Sequence, residues 1–135
     1  MKRPVLAFIA GAVAWVLVVS VLNRALRIIV PGYAAAEPGM AFTLGMMAAR
    51  LIIAAITSLA AGAVTAAIAP VSPRVPWVLG VVLLVGFIPE HLRLWSLFPP
   101  WYHLTFLVTL VPLVVLGARL TQPAPVVPGA GSAIR

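Results

Sequence analysis

The stretch Glu90–His103, EHLRLWSLFPPWYH, decides how this chain is read. It follows an apolar run from Trp77 to Ile88, about a dozen residues where a membrane-spanning helix needs roughly 20. The helix has two ways forward. Either it continues through Pro89 to about Phe98, carrying Glu90, His91 and Arg93 to membrane depth, or it stops and the segment lies along the interface. Pro89 has no N–H and crowds the carbonyl four residues back, so a continuing helix is expected to kink there. Extended to Leu97, it would set Gly86, Glu90, Arg93 and Leu97 on one face and Phe87, His91 and Trp95 on another.

The surrounding chain makes a membrane the natural solvent. Of its 135 residues, 64% are hydrophobic, against about 45–50% in a soluble domain, which leaves too little polar surface to clothe a water-soluble fold. Only 8% are charged, so the two acids, Glu37 and Glu90, and the two histidines, His91 and His103, stand out. The net charge of +7 comes from basic residues scattered between apolar runs. They form no basic stripe, which argues against nucleic acid as a partner and for topology signals and lipid head-group contacts. Without cysteine, disulfides and thiol chemistry are excluded.

Working outward, the apolar runs predict an all-α integral membrane bundle of four transmembrane helices, up-down-up-down, over residues 1–120. The spans fall at about 4–22, 40–69, 77–97 and 101–117, and a Pro- and Gly-rich tail, 121–135, is expected to be disordered. The first span is preceded by Lys2 and Arg3 but exceeds a signal-peptide core, so it is expected to remain. In it Ala7 and Gly11, and Ala10 and Ala14, sit four apart, the spacing that lets helix backbones approach closely. The second span is rich in Gly, Ala and Ser and reads as the central packing helix. Its Thr43, Arg50 and Thr57 recur every seven residues and share a face toward other helices. Arg50 lies either at mid-bilayer, where it costs about 2.5–3.5 kcal/mol and needs a partner, or at the interface. Pro70–Pro76 turns the chain back, as do Pro99 and Pro100. Loop charges favour both termini in the cytoplasm: Lys2, Arg3, Arg74, Arg119 and Arg135 gather on one side, and both acids on the other.

That topology collects a polar rim. Arg50, Glu90, Arg93, His91, His103 and Tyr102 form a candidate ligand or ion-pair cluster, with Arg24, Arg27, Trp77 and Trp101 as lipid head-group anchors. Four readings compete for it. Carboxylates neutralise Arg50 or Arg93 in a purely structural role; the arginines clamp an anionic or amphipathic ligand such as a lipid or quinone, with Trp95, Trp101 and Tyr102 as walls; His91, His103 and Glu90 meet around a metal or haem; or Glu90 moves protons. No spacing resembles a helical metal-ligand pair, and no acid lies mid-span, so neither a metal nor another cofactor is expected.

Pro31-Gly32-Tyr33, Phe42-Thr43-Leu44-Gly45 and Phe98-Pro99-Pro100-Trp101-Tyr102-His103-Leu104 resemble segments of small four-helix bacterial inner-membrane proteins to which no activity is assigned. The resemblance spans the membrane part and implies a multi-pass protein of that membrane, without carrying functional residues. The small-residue density of the first two spans then points to a non-enzymatic protein. It would act by helix-helix association, as a homo-oligomer or as an accessory subunit of a membrane partner. The alternative is a transporter or carrier of a small amphipathic or anionic ligand at the outer rim.

Overall fold

The structure is a computed structural model and describes residues 2–123; the expected tail lies, from residue 124 on, outside them. The described chain is all-helical: α1 (Lys2–Ile29), a short α2 (Tyr33–Ala36), α3 (Leu44–Ile68), α4 (Arg74–Arg93) and α5 (Pro100–Thr121). The four longer helices are each long and apolar enough to cross a membrane. Their outward surfaces carry Val5, Ile9, Val13, Leu17, Ile52, Val81, Val85, Leu104 and Val108, an exposed apolar belt of the kind rarely left in contact with water.

Local sequence sets the helix ends. Thr43 caps α3, its hydroxyl oxygen accepting from the Met46 N–H at 3.3 Å, so the helix begins four residues later than the apolar run. Gly32, in the left-handed region at φ 78°, turns the chain off α1 and swings Tyr33 into the interior. Helix α4 starts at Arg74 with Pro76 in its first turn, where the missing N–H has no helical acceptor anyway. It runs unbroken through Pro89 and ends at Arg93. Turns over residues 94–97 then lead to Pro99 and to Pro100, the first residue of α5. The deciding stretch thus combines both alternatives: one more helical turn carrying Glu90, His91 and Arg93, then a reversal before Phe98.

In cross-section α1, α3, α5 and α4 follow one another round a square, with α3 and α4 on a diagonal and touching only slightly. Helix α3 is the central packing helix, 39% of its most apolar window being buried against 17% for α1. Its small residues are spent on close approach. A Cβ on Gly62 would overlap the backbone carbonyl of Val114, and one on Gly117 the carbonyl of Leu59, so α3 and α5 lie backbone against backbone. On the other side Ala7, Gly11 and Trp15 form the buried stripe of α1. A Cβ on Gly11 would meet Thr65 Cγ2 at 2.6 Å and Leu79 Cδ2 at 2.7 Å. The core closes around Trp15, Ala61, Leu79 and Val114.

Candidate functional site

Toward the other end of the square the small residues give out, and the space is filled by rings. Trp15 packs on Phe87 at a centroid distance of 4.8 Å, Phe87 on Phe106 at 5.1 Å, and Phe106 on His91 at 4.5 Å. A second stack runs Tyr33, Phe42, Phe98, Tyr102, with centroids 5.2, 5.9 and 4.8 Å apart. Between the two stacks lies a cavity of about 310 Å³, bordered by Trp15, Arg50, Phe87, His91, Tyr102 and Phe106, and reached also by Glu90 and His103. Its size is at the lower end of the roughly 300–1,000 Å³ typical of small-molecule sites.

Arg50 is the charge at this cavity. Its Nε donates to the Tyr102 hydroxyl at 3.1 Å and its Nη1 to the Tyr33 hydroxyl at 2.8 Å, while the guanidinium sits over the Phe42 ring, 4.7 Å from its centroid. These contacts hold the planar fork from three directions. None of them neutralises it. The described carboxylates are engaged elsewhere: Glu37 Oε2 with Arg27 Nε at 2.7 Å, and Glu90 Oε1 with Arg93 Nη2 at 3.0 Å. Of the two partners open to Glu90 in the sequence, Arg93 and Arg50, it takes Arg93. Glu90 and Arg93, one helical turn apart, find each other on the exposed side of α4, where Arg93's side chain is 71% exposed.

The two histidines do meet. His91 Nδ1 and His103 Nδ1 are 2.8 Å apart, both side chains being buried, and Trp95 stacks on the His103 ring at 4.8 Å. His103 Nε2 is fully buried with no partner among the described residues, as is the hydroxyl of Thr57 on α3. Because the histidines address each other, no group of three metal-ligating side chains forms among the described residues, and the arrangement with Glu90 considered for a metal is not assembled.

The site thus unites Arg50, His91, His103 and Tyr102 from the predicted cluster and leaves Glu90 at its edge and Arg93 outside. Of the anchors, Trp77 and Trp101 are exposed at 49% and 42%, Arg24 is exposed, and Arg27 is tied to Glu37. Of the walls expected from the sequence, Tyr102 borders the cavity and Trp95 and Trp101 do not, while Trp15, Phe87, Phe98 and Phe106 were passed over. Trp15 carried a usable signal, since it continues the Ala7, Gly11 stripe by one more turn, and its indole Nε1 donates to Ser58 Oγ at 3.4 Å.

Comparison of the chain with protein-family models, with curated proteins and with solved structures finds no match. What defines the molecule is its architecture, an all-helical bundle with four helices able to span a membrane, and its cavity with an arginine that has no carboxylate partner.

Proposed function

We propose that the chain is a multi-pass protein of a bacterial inner membrane, running up-down-up-down with both termini cytoplasmic, whose cavity holds an anionic amphiphile. It acts as a binding or carrier protein and makes no bonds in its ligand. Pairwise contacts support the topology: Ala7 clusters with Ala69 and Val75, Gly11 faces Thr65, and Gly62 faces Val114 while Arg50 meets Tyr102. Contacts between the start of α1 and the end of α3, and between α3 and α5 in the same direction, are those an up-down-up-down bundle would make. In this reading Lys2, Arg3, Arg74 and Arg119 mark the cytoplasmic end, and the cavity, bordered by Asn23, Met40 and Glu90, lies toward the other.

The observation that carries the binding reading is Arg50. A cation at the centre of a spanning helix costs about 2.5–3.5 kcal/mol and less toward its ends; Arg50 lies in the second turn of α3, and its protein partners among the described residues are all neutral. Two hydroxyls and a ring fix its direction without cancelling its charge, which is the arrangement an anion clamp needs. Homo-oligomer formation or an accessory role rested on surplus small residues. Gly11, Ser58, Ala61 and Gly62 are packed inside this bundle, whereas Gly45 and Ala48 stay exposed on α3, so association through these small residues stands as the second reading.

The test is a titration in nanodiscs of zwitterionic lipid with a brominated fatty acid, which quenches tryptophan on contact. Saturable quenching that disappears in Trp15→Phe is expected, and Arg50→Gln should weaken it by roughly 10- to 100-fold, the worth of a charge-assisted hydrogen bond. Quenching that never saturates, or equal quenching by the brominated methyl ester, would refute the proposal.

A further inference from the structure

The two histidines give the cavity a second donor. With both rings neutral, the 2.8 Å contact between His91 Nδ1 and His103 Nδ1 requires one Nδ1 to carry the proton and the other the lone pair. The surroundings choose between the two. If His91 donated, His103 would be left with its proton on Nε2, which is fully buried and partnerless, and a buried orphan N–H is the rarer and costlier defect. If His103 donates, its Nε2 holds only a lone pair, and His91 carries its proton on Nε2. That atom is not sealed: His91 borders the cavity and keeps 8% of its surface accessible, and its Nε2 is not among the buried polar atoms lacking partners.

We infer that His103 Nδ1–H donates to His91 Nδ1, fixing His91 as the Nε2–H tautomer, and that this N–H joins Arg50 as a two-point clamp for the oxyanion head of the ligand, a carboxylate or a phosphate. This rests on the anionic-amphiphile reading and says which atoms hold the anion. The guanidinium supplies charge and the N–H protons not used by Tyr33 and Tyr102, all of them donors. His91 adds a further donor from α4, on the other side of the square. Both groups only donate, so the fitting partner is a group that only accepts, which a carboxylate or phosphate is and an alcohol or amine is not. Of the charged groups around His91, Glu90 on α4 is held by Arg93, and Arg50 on α3 is the cation that draws the anion in; Tyr102 and His103 complete the surroundings from α5. In this scheme His103 is a positioning residue, touching no ligand, and it acts as the carbonyl or carboxylate behind a metal-bound histidine does, by setting a tautomer.

Nitrogen NMR of histidine-labelled full-length protein in zwitterionic nanodiscs reads the tautomers directly. The ligand-free protein should show His91 protonated on Nε2 and His103 on Nδ1; the reverse assignment, or fast-exchanging mixtures on both rings, overturns the inference. Dodecanoate and dodecyl phosphate are then added separately, with dodecanol as the neutral control. A shift of the His91 Nε2–H resonance by either anion, and none by dodecanol, supports the clamp and tells a carboxylate from a phosphate head. An anion that displaces the brominated fatty acid from Trp15 but leaves His91 unmoved overturns the clamp while the binding reading survives, and absence of any anion binding overturns both. His103→Asn, whose amide N–H can donate to His91 Nδ1, should retain affinity within a few-fold, whereas His103→Leu should lose roughly tenfold and scramble the His91 tautomer. Equal affinity in the two variants would remove His103 from the scheme.

Discussion

Replacing Gly62 by Ala tests the backbone-to-backbone seam that places Arg50 beside Tyr102. The added methyl would overlap the Val114 carbonyl oxygen and come within 2.9 Å of the Ala118 nitrogen, both backbone atoms that no side-chain rotation can move aside. Helices α3 and α5 must separate, and overpacking of this kind costs about 1–3 kcal/mol, with the upper end expected for a rigid obstacle. Against it stands the helix preference of Ala over Gly, about 1 kcal/mol in the opposite direction. The net expectation is a loss of about 1–2 kcal/mol. Gly117→Ala meets the Leu59 carbonyl and should match it. Gly11→Ala meets the side-chain ends of the buried Thr65 and Leu79 at 2.6 and 2.7 Å and the Ala61 carbonyl oxygen only at 3.2 Å, and should lose somewhat less because its closest obstacles are side chains. Gly86→Ala has nothing within 4 Å and should be neutral or gain up to about 1 kcal/mol. Unfolding of the four variants in mixed micelles by rising sodium dodecyl sulfate, followed by circular dichroism, ranks them. If Gly62→Ala were no less stable than Gly86→Ala, the close α3–α5 seam would be wrong.

The other expectations concern the rim and the rings. Tyr33→Phe and Tyr102→Phe each remove a hydroxyl from the same guanidinium, costing about 1.5–3 kcal/mol apiece in the same unfolding assay. The double variant should deviate from additivity, because both act on one group. Glu90→Gln breaks only an exposed pair with Arg93 and should change stability by less than about 0.5 kcal/mol, a larger loss indicating that Glu90 is buried after all. Glu37→Gln should cost no more than about 1 kcal/mol and lose most of that effect at high salt, since the Arg27 side chain is 47% exposed. Trp15→Ala should cost about 3–5 kcal/mol, as expected for a large ring removed from a closed core.

Much of this architecture was legible because bilayer physics is coarse. Apolar length pointed to four helices, the prolines at Pro70–Pro76 and Pro99–Pro100 to their separations, and the Ala7–Gly11 spacing and the small residues of the second span to close packing, while Gly117 on the fourth span, which completes the α3–α5 seam, went unread. The pairing of charges was less legible. Glu90 has two partners open to it in the sequence, Arg50 and Arg93, and the one three residues away on the same helix is reached at less entropic cost than the one on another helix. The helix end at Arg93 was also hidden, since a proline tolerated inside a helix and one that breaks it look alike in sequence; Pro89 is followed by one more turn, and the reversal is made by turns over residues 94–97 before Pro100 opens α5. That reversal folds His103 back onto His91, a meeting that depends on turn geometry and not on spacing. The aromatic walls escaped notice for a different reason: in an apolar span a tryptophan or phenylalanine facing the cavity reads the same as one facing lipid.

The central claim is that Arg50 holds an anion inside this bundle, and a native mass spectrum of protein released gently from its own membrane tests it most directly. The account predicts one anionic amphiphile retained per chain on the wild-type protein and stripped from Arg50→Gln at equal collision energy. A bare chain, or a neutral lipid retained equally by both proteins, would contradict it.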